Sequence, residues 1–579
     1  MILQALYDYY HRCGDLPRKG MELKEIGFLI VIEKDGHFLR FEDRRIDKKQ
    51  AQKFLVKKHV GRTNSLAANY LYDNSGYVFG YSEKGDVTAQ YKRFKDKVRS
   101  IYERHPNNKD LIALNKFYQQ EQSDILNQMQ KDSLWPEIKK SLSKKYSFFS
   151  FLIQGETKIV AEKEELLDFE SDNKSTGEQI CLVSGKKGNI VDVTTATMIP
   201  GSQAVAKLVS FQTGSGYDSY GKSKGGNAPI CEESDFAYTT ALNHLLRFDS
   251  RNKFMVGTRT FVFWSSINDE AGQKAEESFF NMFGFSEQED DPNKNIEQVR
   301  KVFESIYRGQ LKTTSEDTFY ILGLAPNAAR IAVTYWAEIP LRKFAETICK
   351  HFEDMEVIDT RIDKKPYISL RNMISTVTLG GKVSDAAPNL ADAVVKSIFE
   401  GIPYPQTLFA SCIRRIRAEL DNKKWDDAFR RGWIIARAAI IKAYLNRLNN
   451  NEQKIDVMLD KDNTNQGYLC GRLFAVLDKI QEEANNQHTI RERYMNSASA
   501  TPAAVFSTIL NLSNHHIENL KSEGRKIYFE KLKQEIISKI NADGFKAQLD
   551  LHDQGRFFIG YYHQRQDFFT PNDQNNNEE

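Results

Sequence analysis

The hydrophobic pattern changes once along this 579-residue chain, near residue 385, and the change limits what the chain can fold into. Before that point apolar residues fall in short runs of strand length, bounded by Gly, Ser or charge, with helical stretches between them. From about Leu390 onward they recur at helical spacing, helix after helix. The pattern predicts an α+β N-terminal domain of mixed strands and helices over residues 1–385, followed by an all-α C-terminal helical bundle over 386–569. The length exceeds the roughly 250–300 residues at which single cores stop growing, which agrees with more than one domain. Residues 570–579 are Asn-rich and acidic, and a disordered tail is expected there.

Within the first part, Leu3, Leu6, Tyr7 and Tyr10 mark a short amphipathic helix. A hairpin follows over 28–32 and 37–41, turning at Lys34-Asp-Gly36. Residues 92–145 read as helical, and 148–153, 180–183, 208–211 and 260–264 read as strands. Tyr238, Ala241, Leu242 and Leu245 form one stripe of a helix over 235–246, with His244 off that stripe as a partly exposed surface histidine. In the second part Ile413, Ile416 and Leu420 share an apolar face, and Arg430 and Arg437, seven apart, share another.

Hydrophobic residues make up 40% and charged residues 27%, as in an ordinary globular protein. No secretory pattern opens the chain and no apolar run reaches the roughly 18 residues of a membrane span, so a cytoplasmic protein with no membrane partner is expected. Six cysteines, Cys13, Cys181, Cys231, Cys349, Cys412 and Cys470, include no C-x-x-C pair, which argues against structural zinc and a disulfide framework. His515-His516 and His552-Asp553 do not make a metal site, because adjacent histidines on a helix point about 100° apart. No metal and no cofactor are expected.

Gly216-Tyr-Asp-Ser-Tyr-Gly-Lys-Ser223 fits G-x-x-x-x-G-K-[ST]. A phosphate loop needs a helix opening at Lys-Ser, and here Lys222-Ser223 runs into Lys224-Gly-Gly-Asn-Ala-Pro229, which favours a loop. A nucleotide hydrolase is therefore the lesser reading. Net charge is only +3, so polyanion binding requires local patches. Between Arg40 and Arg62 nine basic residues face three acidic ones, and Thr63-Asn-Ser65, Asn69-Tyr70, Tyr72 and Asn74 follow. Cations for phosphate beside amides, hydroxyls and rings suit a duplex-reading surface. Between Pro405 and Asn451 ten basic residues face four acidic ones, which suits sequence-independent tracking of a single strand, with Trp425, Trp433 or Tyr444 as possible stacking partners.

Several segments, in order, resemble one family: the large subunit of the type I-C CRISPR surveillance complex Cascade, the Csd family. They include Met1-Ile-Leu-Gln-Ala-Leu-Tyr-Asp-Tyr-Tyr10, Cys181-Leu-Val-Ser-Gly185, Ser219-Tyr-Gly221 and Asn227-Ala-Pro229. Phe236-Ala-Tyr-Thr-Thr-Ala-Leu-Asn-His-Leu-Leu246, Phe319-Tyr-Ile-Leu-Gly-Leu-Ala-Pro-Asn-Ala-Ala-Arg-Ile331, Gly471-Arg-Leu-Phe-Ala-Val-Leu477 and Gly560-Tyr-Tyr-His-Gln-Arg-Gln566 continue the series. The chain departs from the family at Cys231, where a hydroxyl residue is usual ahead of the following helix, and in Val193-Thr-Thr-Ala-Thr197, where a histidine is usual.

The resemblance implies a non-catalytic subunit that sits beside the crRNA 5′ handle among backbone and handle subunits. Such a subunit reads the protospacer-adjacent motif (PAM) in double-stranded DNA, assists duplex opening, holds the displaced strand of the R-loop and recruits a helicase-nuclease for antiviral defence. On local chemistry, the expected duplex readers are Arg62, Asn64 and Asn69 with Lys222, Lys224 and Asn227. Arg414, Arg415, Arg417, Arg430 and Arg437 are expected to support the displaced strand. The resemblance also implies that residues 458–579 are small-subunit-like, made separately from an internal start, for which Met458 is placed. A nonspecific single-strand binder is a further alternative.

Overall fold

The computed structural model describes residues 1–14, 16–48, 50–60, 66–166, 177–197, 199–214, 216, 218, 220–247, 249–282, 296–312, 317–360, 368, 370–387, 389–419, 428–448, 453–486 and 489–570. They form two compact units. The smaller comprises Cys13–Asp192 with Gly225–Thr240, and the larger comprises Met1–Arg12, Val193–Lys224 and Ala241–Glu579.

The smaller unit is built on a four-stranded sheet. Strands β1 (Met21–Glu25) and β4 (Lys53–Lys57) pair as a separate ribbon, while β2 (Phe28–Ile32), β3 (Phe38–Asp43), β5 (Tyr72–Asp73) and β6 (Phe149–Ile153) form a sheet in the order β3-β2-β6-β5. β2 and β6 pair in parallel, with Phe28 opposite Phe149, and every residue of both is buried. Continuous apolar runs such as Phe28-Leu-Ile-Val-Ile32 suit that covered central position. The helix Lys109–Gln119 covers them, bringing Phe117 to 5.4 Å from the Phe151 ring. The predicted hairpin forms, turning through Gly36 at φ 93. The helical stretch resolves into Thr88–Arg104, Lys109–Gln119, Gln122–Gln130 and Trp135–Ser141. Of residues 180–183 only Ile180 joins a strand, in the short pair β7 (Gln179–Ile180) and β8 (Lys187–Gly188).

The larger unit holds an antiparallel meander of β9 (Lys253–Val256), β10 (Arg259–Ser265), β11 (Thr318–Asn327) and β12 (Arg330–Pro340). One face carries Phe254, Phe261, Phe263 and Phe319 onto the helices Glu270–Met282 and Leu341–Met355, with Phe319 stacked on Phe344 at 4.4 Å. From there one contiguous core runs on to Tyr562. Residue 385 thus marks a change of secondary structure within one packed body. Residues 208–211 form no strand: Lys207 makes an isolated bridge to Arg330, and the Val209 carbonyl accepts from the Thr194 hydroxyl at 2.5 Å.

The C-terminal region is helical as predicted, and it centres on the helices Gln466–Asn485 and Leu551–Asp567. They cross so closely that a Cβ on Gly471 would lie 1.9 Å from the Phe557 carbonyl oxygen, and one on Gly560 would lie 2.2 Å from that of Tyr468. Among the described residues no helix is long and apolar enough to cross a membrane.

Candidate nucleic-acid interface

The glycine-rich loop lies in the larger unit up to Lys224, and left-handed backbone shapes it. Gly214, Gly216 and Gly221 have φ of 74, 78 and 71, and two residues with side chains, Tyr220 and Lys224, share that region at 52 and 45. The consequence is outward presentation. Tyr220 is 97% exposed, and Gly221, Lys222, Ser223 and Lys224 are exposed with it. Lys222 makes no ion pair among the described residues. After Ser223 the chain takes a 3-10 turn over Lys224–Asn227, so no α-helix N-terminus faces the loop. With no strand before it either, the loop lacks both supports of a nucleotide phosphate site. Asn227 is half-buried in the smaller unit.

In the described part of the first basic patch the three arginines are paired with carboxylates. Arg40 and Arg44 each pair with Glu42 at 2.6 Å, and Arg45 pairs with Asp43 at 2.7 Å. The hydrogen bond to Asp43 raises the pKa of Arg45 further, and burial only partly opposes it. Lys53, Lys58 and His59 remain exposed beside them. Asn69 corrects the sequence reading. It is 2% exposed, its Oδ1 accepts the Val60 N–H at 2.9 Å and its own N–H donates to Asp73 at 2.9 Å, so its amide fixes the backbone at residue 60 and has no face for a base. Asn74 caps the helix Ser75–Val78, and Tyr72 donates to the Lys57 carbonyl at 3.0 Å. Arg62 and Asn64 lie outside the described residues.

The second patch divides in the same way. Arg414 is exposed on the helix Gln406–Ala418 and, among the described residues, its side chain bonds the Ser411 hydroxyl at 2.8 Å. Arg415 pairs with Glu419 at 2.5 Å, and Arg417 reaches Ser499 at 3.0 Å while burial lowers its pKa. Arg437 is a second correction. It is 1% exposed, pairs with Glu419 at 2.6 Å and donates to the Thr376 carbonyl at 2.9 Å, so no strand can reach it. Arg430 lies in the helix Ala428–Arg447, its side chain outside the described residues, as is that of Trp433; Trp425 lies outside them altogether. Tyr444 is buried against Phe409 at 4.2 Å and offers no stacking platform.

A protein-family model described as CRISPR-associated protein (Cas_Csd1) matches residues 6–569, nearly the whole chain. The chain belongs to the Cas_Csd1 family. It is therefore a CRISPR-associated large subunit of type I-C, as the ordered segments imply. Comparison with curated proteins gives no match. The Cas_Csd1 match takes in the exposed glycine loop and the Arg414 helix, both in the larger unit. Sequence reasoning passed over Tyr220 as a site residue, although its place between Ser219 and Gly221 in a small-residue loop signals exposure. Elsewhere His552 lies 3.4 Å from the Tyr444 hydroxyl and Asp553 pairs with Lys546 at 2.8 Å. Among the described residues no group of three or more His, Cys, Asp or Glu is placed to hold a metal.

Proposed function

We propose that this Cas_Csd1 chain is a non-catalytic reader of double-stranded DNA that recognises the PAM within a crRNA-containing Cascade complex. It then assists opening of the duplex, stabilises the R-loop and recruits the helicase-nuclease. The observation that carries the reading is the glycine-hinged loop with Tyr220, Lys222 and Lys224 held outward. Family membership supplies the complex, and the loop supplies what a duplex reader needs: cations for phosphate, with the Asn227 amide a few residues on for a base edge. Guide pairing provides target specificity, so a few base contacts are enough. Arg62 and Asn64 remain part of the proposed duplex set, and Asn69 supports it only by positioning. For the displaced strand the proposal rests on Arg414, with Arg430 on the neighbouring helix, while Arg415, Arg417 and Arg437 hold that region together.

The test is binding of the assembled complex to PAM-bearing and PAM-less duplexes across a salt series. Lys222→Ala with Lys224→Ala should weaken both, and should lower the slope of log affinity against log salt by about 0.9 for each phosphate no longer neutralised. Asn227→Ala should cost about 1–3 kcal/mol on the PAM duplex alone. Unchanged PAM preference and unchanged slope would remove the reading, and ATP turnover abolished by Lys222→Ala would replace it with the hydrolase. Residues 458–579 are proposed as the small-subunit-like piece; Met458, 59% exposed, opens it ahead of the Asn465-capped helix Gln466–Asn485. Two products from the untagged gene, reduced to one by Met458→Leu, are the expected result.

A further inference from the structure

Cys181 and Cys231 lie 50 residues apart in sequence and meet inside the smaller unit, at a place the DNA reading does not use. The β7–β8 pair turns through residues 181–185, closed by the Cys181 N–H on the Lys186 carbonyl and the Gly185 N–H on the Cys181 carbonyl, both 2.9 Å. Cys231 stands immediately before the helix Glu232–Leu246, its carbonyl accepting the Asp235 N–H at 2.9 Å. The two sulfurs share one neighbour. Each lies 3.3 Å from the Ser234 Oγ in the first turn of that helix, and Cys181 Sγ also accepts the Cys231 N–H at 3.2 Å. A Cβ on Gly188 would lie 3.0 Å from the Cys231 Cβ, so it is a glycine that lets the hairpin come this close. Both cysteines are buried but only one residue deep, since Leu182 is 57% exposed and Glu232 is exposed beside them.

An N–H donor at a helix start favours the thiolate, which is the form that attacks oxidants. Burial acts to raise the Cys181 thiol, but the Cys231 N–H and the Ser234 hydroxyl outweigh it and bring the thiol down to about 6. Burial pushes Cys349, Cys412 and Cys470 the other way, to about 11, 12 and 12. An acidic thiol with a second sulfur at the same hydroxyl is the arrangement of an attacking and a resolving cysteine. We infer that Cys181 and Cys231 form a redox pair, which a small peroxide converts into one intramolecular disulfide. The Cys181 thiolate attacks a peroxide oxygen, so that an S–O bond forms as the O–O bond breaks, and the second oxygen takes up a proton and leaves as water. The Cys231 sulfur then attacks Cys181, so that the S–S bond forms, the S–O bond breaks and the departing hydroxide carries off the Cys231 proton as water. The two thiols give up two electrons and two protons, and hydrogen peroxide becomes two waters. Rotation of the two side chains past the Ser234 hydroxyl brings the sulfurs to the roughly 2 Å that the bond requires. The disulfide ties the β7–β8 turn to the helix start. It thereby fixes the segment between them, where the Leu182 N–H meets the Pro229 carbonyl at 2.8 Å and the Val191 N–H meets that of Ile230 at 3.0 Å.

The experiment treats the reduced full chain with hydrogen peroxide under native conditions, counts free thiols and maps peptides without reduction. The count should fall from six to four, with the peptides that carry Cys181 and Cys231 joined. A dithiol reductant should restore the full count. Hydrogen exchange at the Leu182 and Val191 N–H groups should slow by at least about tenfold in the oxidised chain, because closing so long a loop suppresses local opening. Cys231→Ser keeps a capping hydroxyl ahead of the helix, and should leave Cys181 as a sulfenic acid that dimedone traps. Six thiols surviving in the treated wild type, or a bond joining any other pair, overturns the inference. The wild-type peptide map keeps the answer decisive should the variant fold poorly.

Discussion

Arg437 and Arg414 show how differently two arginines of one basic segment are used. Arg437 is enclosed, bound by Glu419 and the Thr376 carbonyl, whereas Arg414 faces solvent from the preceding helix. Removing Arg437 leaves Glu419 its bond to Arg415 but strips the Thr376 carbonyl and one side of Glu419 of their donor, and a buried acceptor left unsatisfied costs about 1–3 kcal/mol. Arg437→Ala should therefore lower unfolding free energy by about that amount in urea titrations, and any loss of R-loop lifetime should follow from instability. Arg414→Glu should leave stability within about 0.5 kcal/mol and shorten R-loop lifetime at low salt. The reverse assignment of the two effects would refute the division. Helical spacing showed that Arg430 and Arg437 share a stripe, but it does not say which stripe faces water once a helix is packed on several sides. Glu419, the carboxylate that takes Arg437 inside, lies 18 residues earlier in sequence. The Asn69 amide was opaque for the same reason, because its partner is a backbone N–H nine residues away.

Elements were legible where period and punctuation agreed. The 28–41 hairpin and the helices from Leu390 onward carry clear periods, and the structure has them. The β11–β12 hairpin shows in the sequence only through the family resemblance. Pro326 sits inside its first strand, and Ala328, at φ 51, makes its turn where Gly or Asn would be the usual signal. A register shift at Gly323/Leu324 further breaks its alternation. Residues 208–211 failed the other way, since four residues of strand-like composition have no partner strand. The helix pair Gln466–Asn485 and Leu551–Asp567 rests on glycines whose meaning is spatial. Gly471→Ala would drive a methyl into the Phe557 carbonyl at 1.9 Å, and overpacking of this kind costs about 1–3 kcal/mol or more. The expected result is a lower melting temperature. Gly544→Ala, where a Cβ meets nothing within 4 Å, serves as the comparison, its cost confined to a φ of 81.

At the scale of the molecule, the larger unit's single core crosses residue 385, so a boundary drawn from secondary-structure type does not fall between packed bodies. Two histidines inside that core make its stability depend on pH. His351 accepts from or donates to the Tyr404 hydroxyl at 2.6 Å, and His563 does the same with Tyr468 at 2.9 Å. Burial pushes both pKa values down to about 3, helped by Arg447 near His351 and Lys442 near His563. In the unfolded chain each returns to about 6.5. Between those values the unfolded state binds more protons, so stability rises with pH across that window. The stabilisation is complete above about pH 6.5 and is lost as pH falls toward 3. At pH 5 each histidine should cost on the order of 2 kcal/mol relative to neutrality, because each pH step of one below 6.5 is worth about 1.4 kcal/mol. Denaturant titrations from pH 7.5 to 5 should show this decline, and His351→Gln with His563→Gln, which retain hydrogen-bonding amides, should flatten it. A decline of the same slope in the double variant would overturn the assignment to these two histidines.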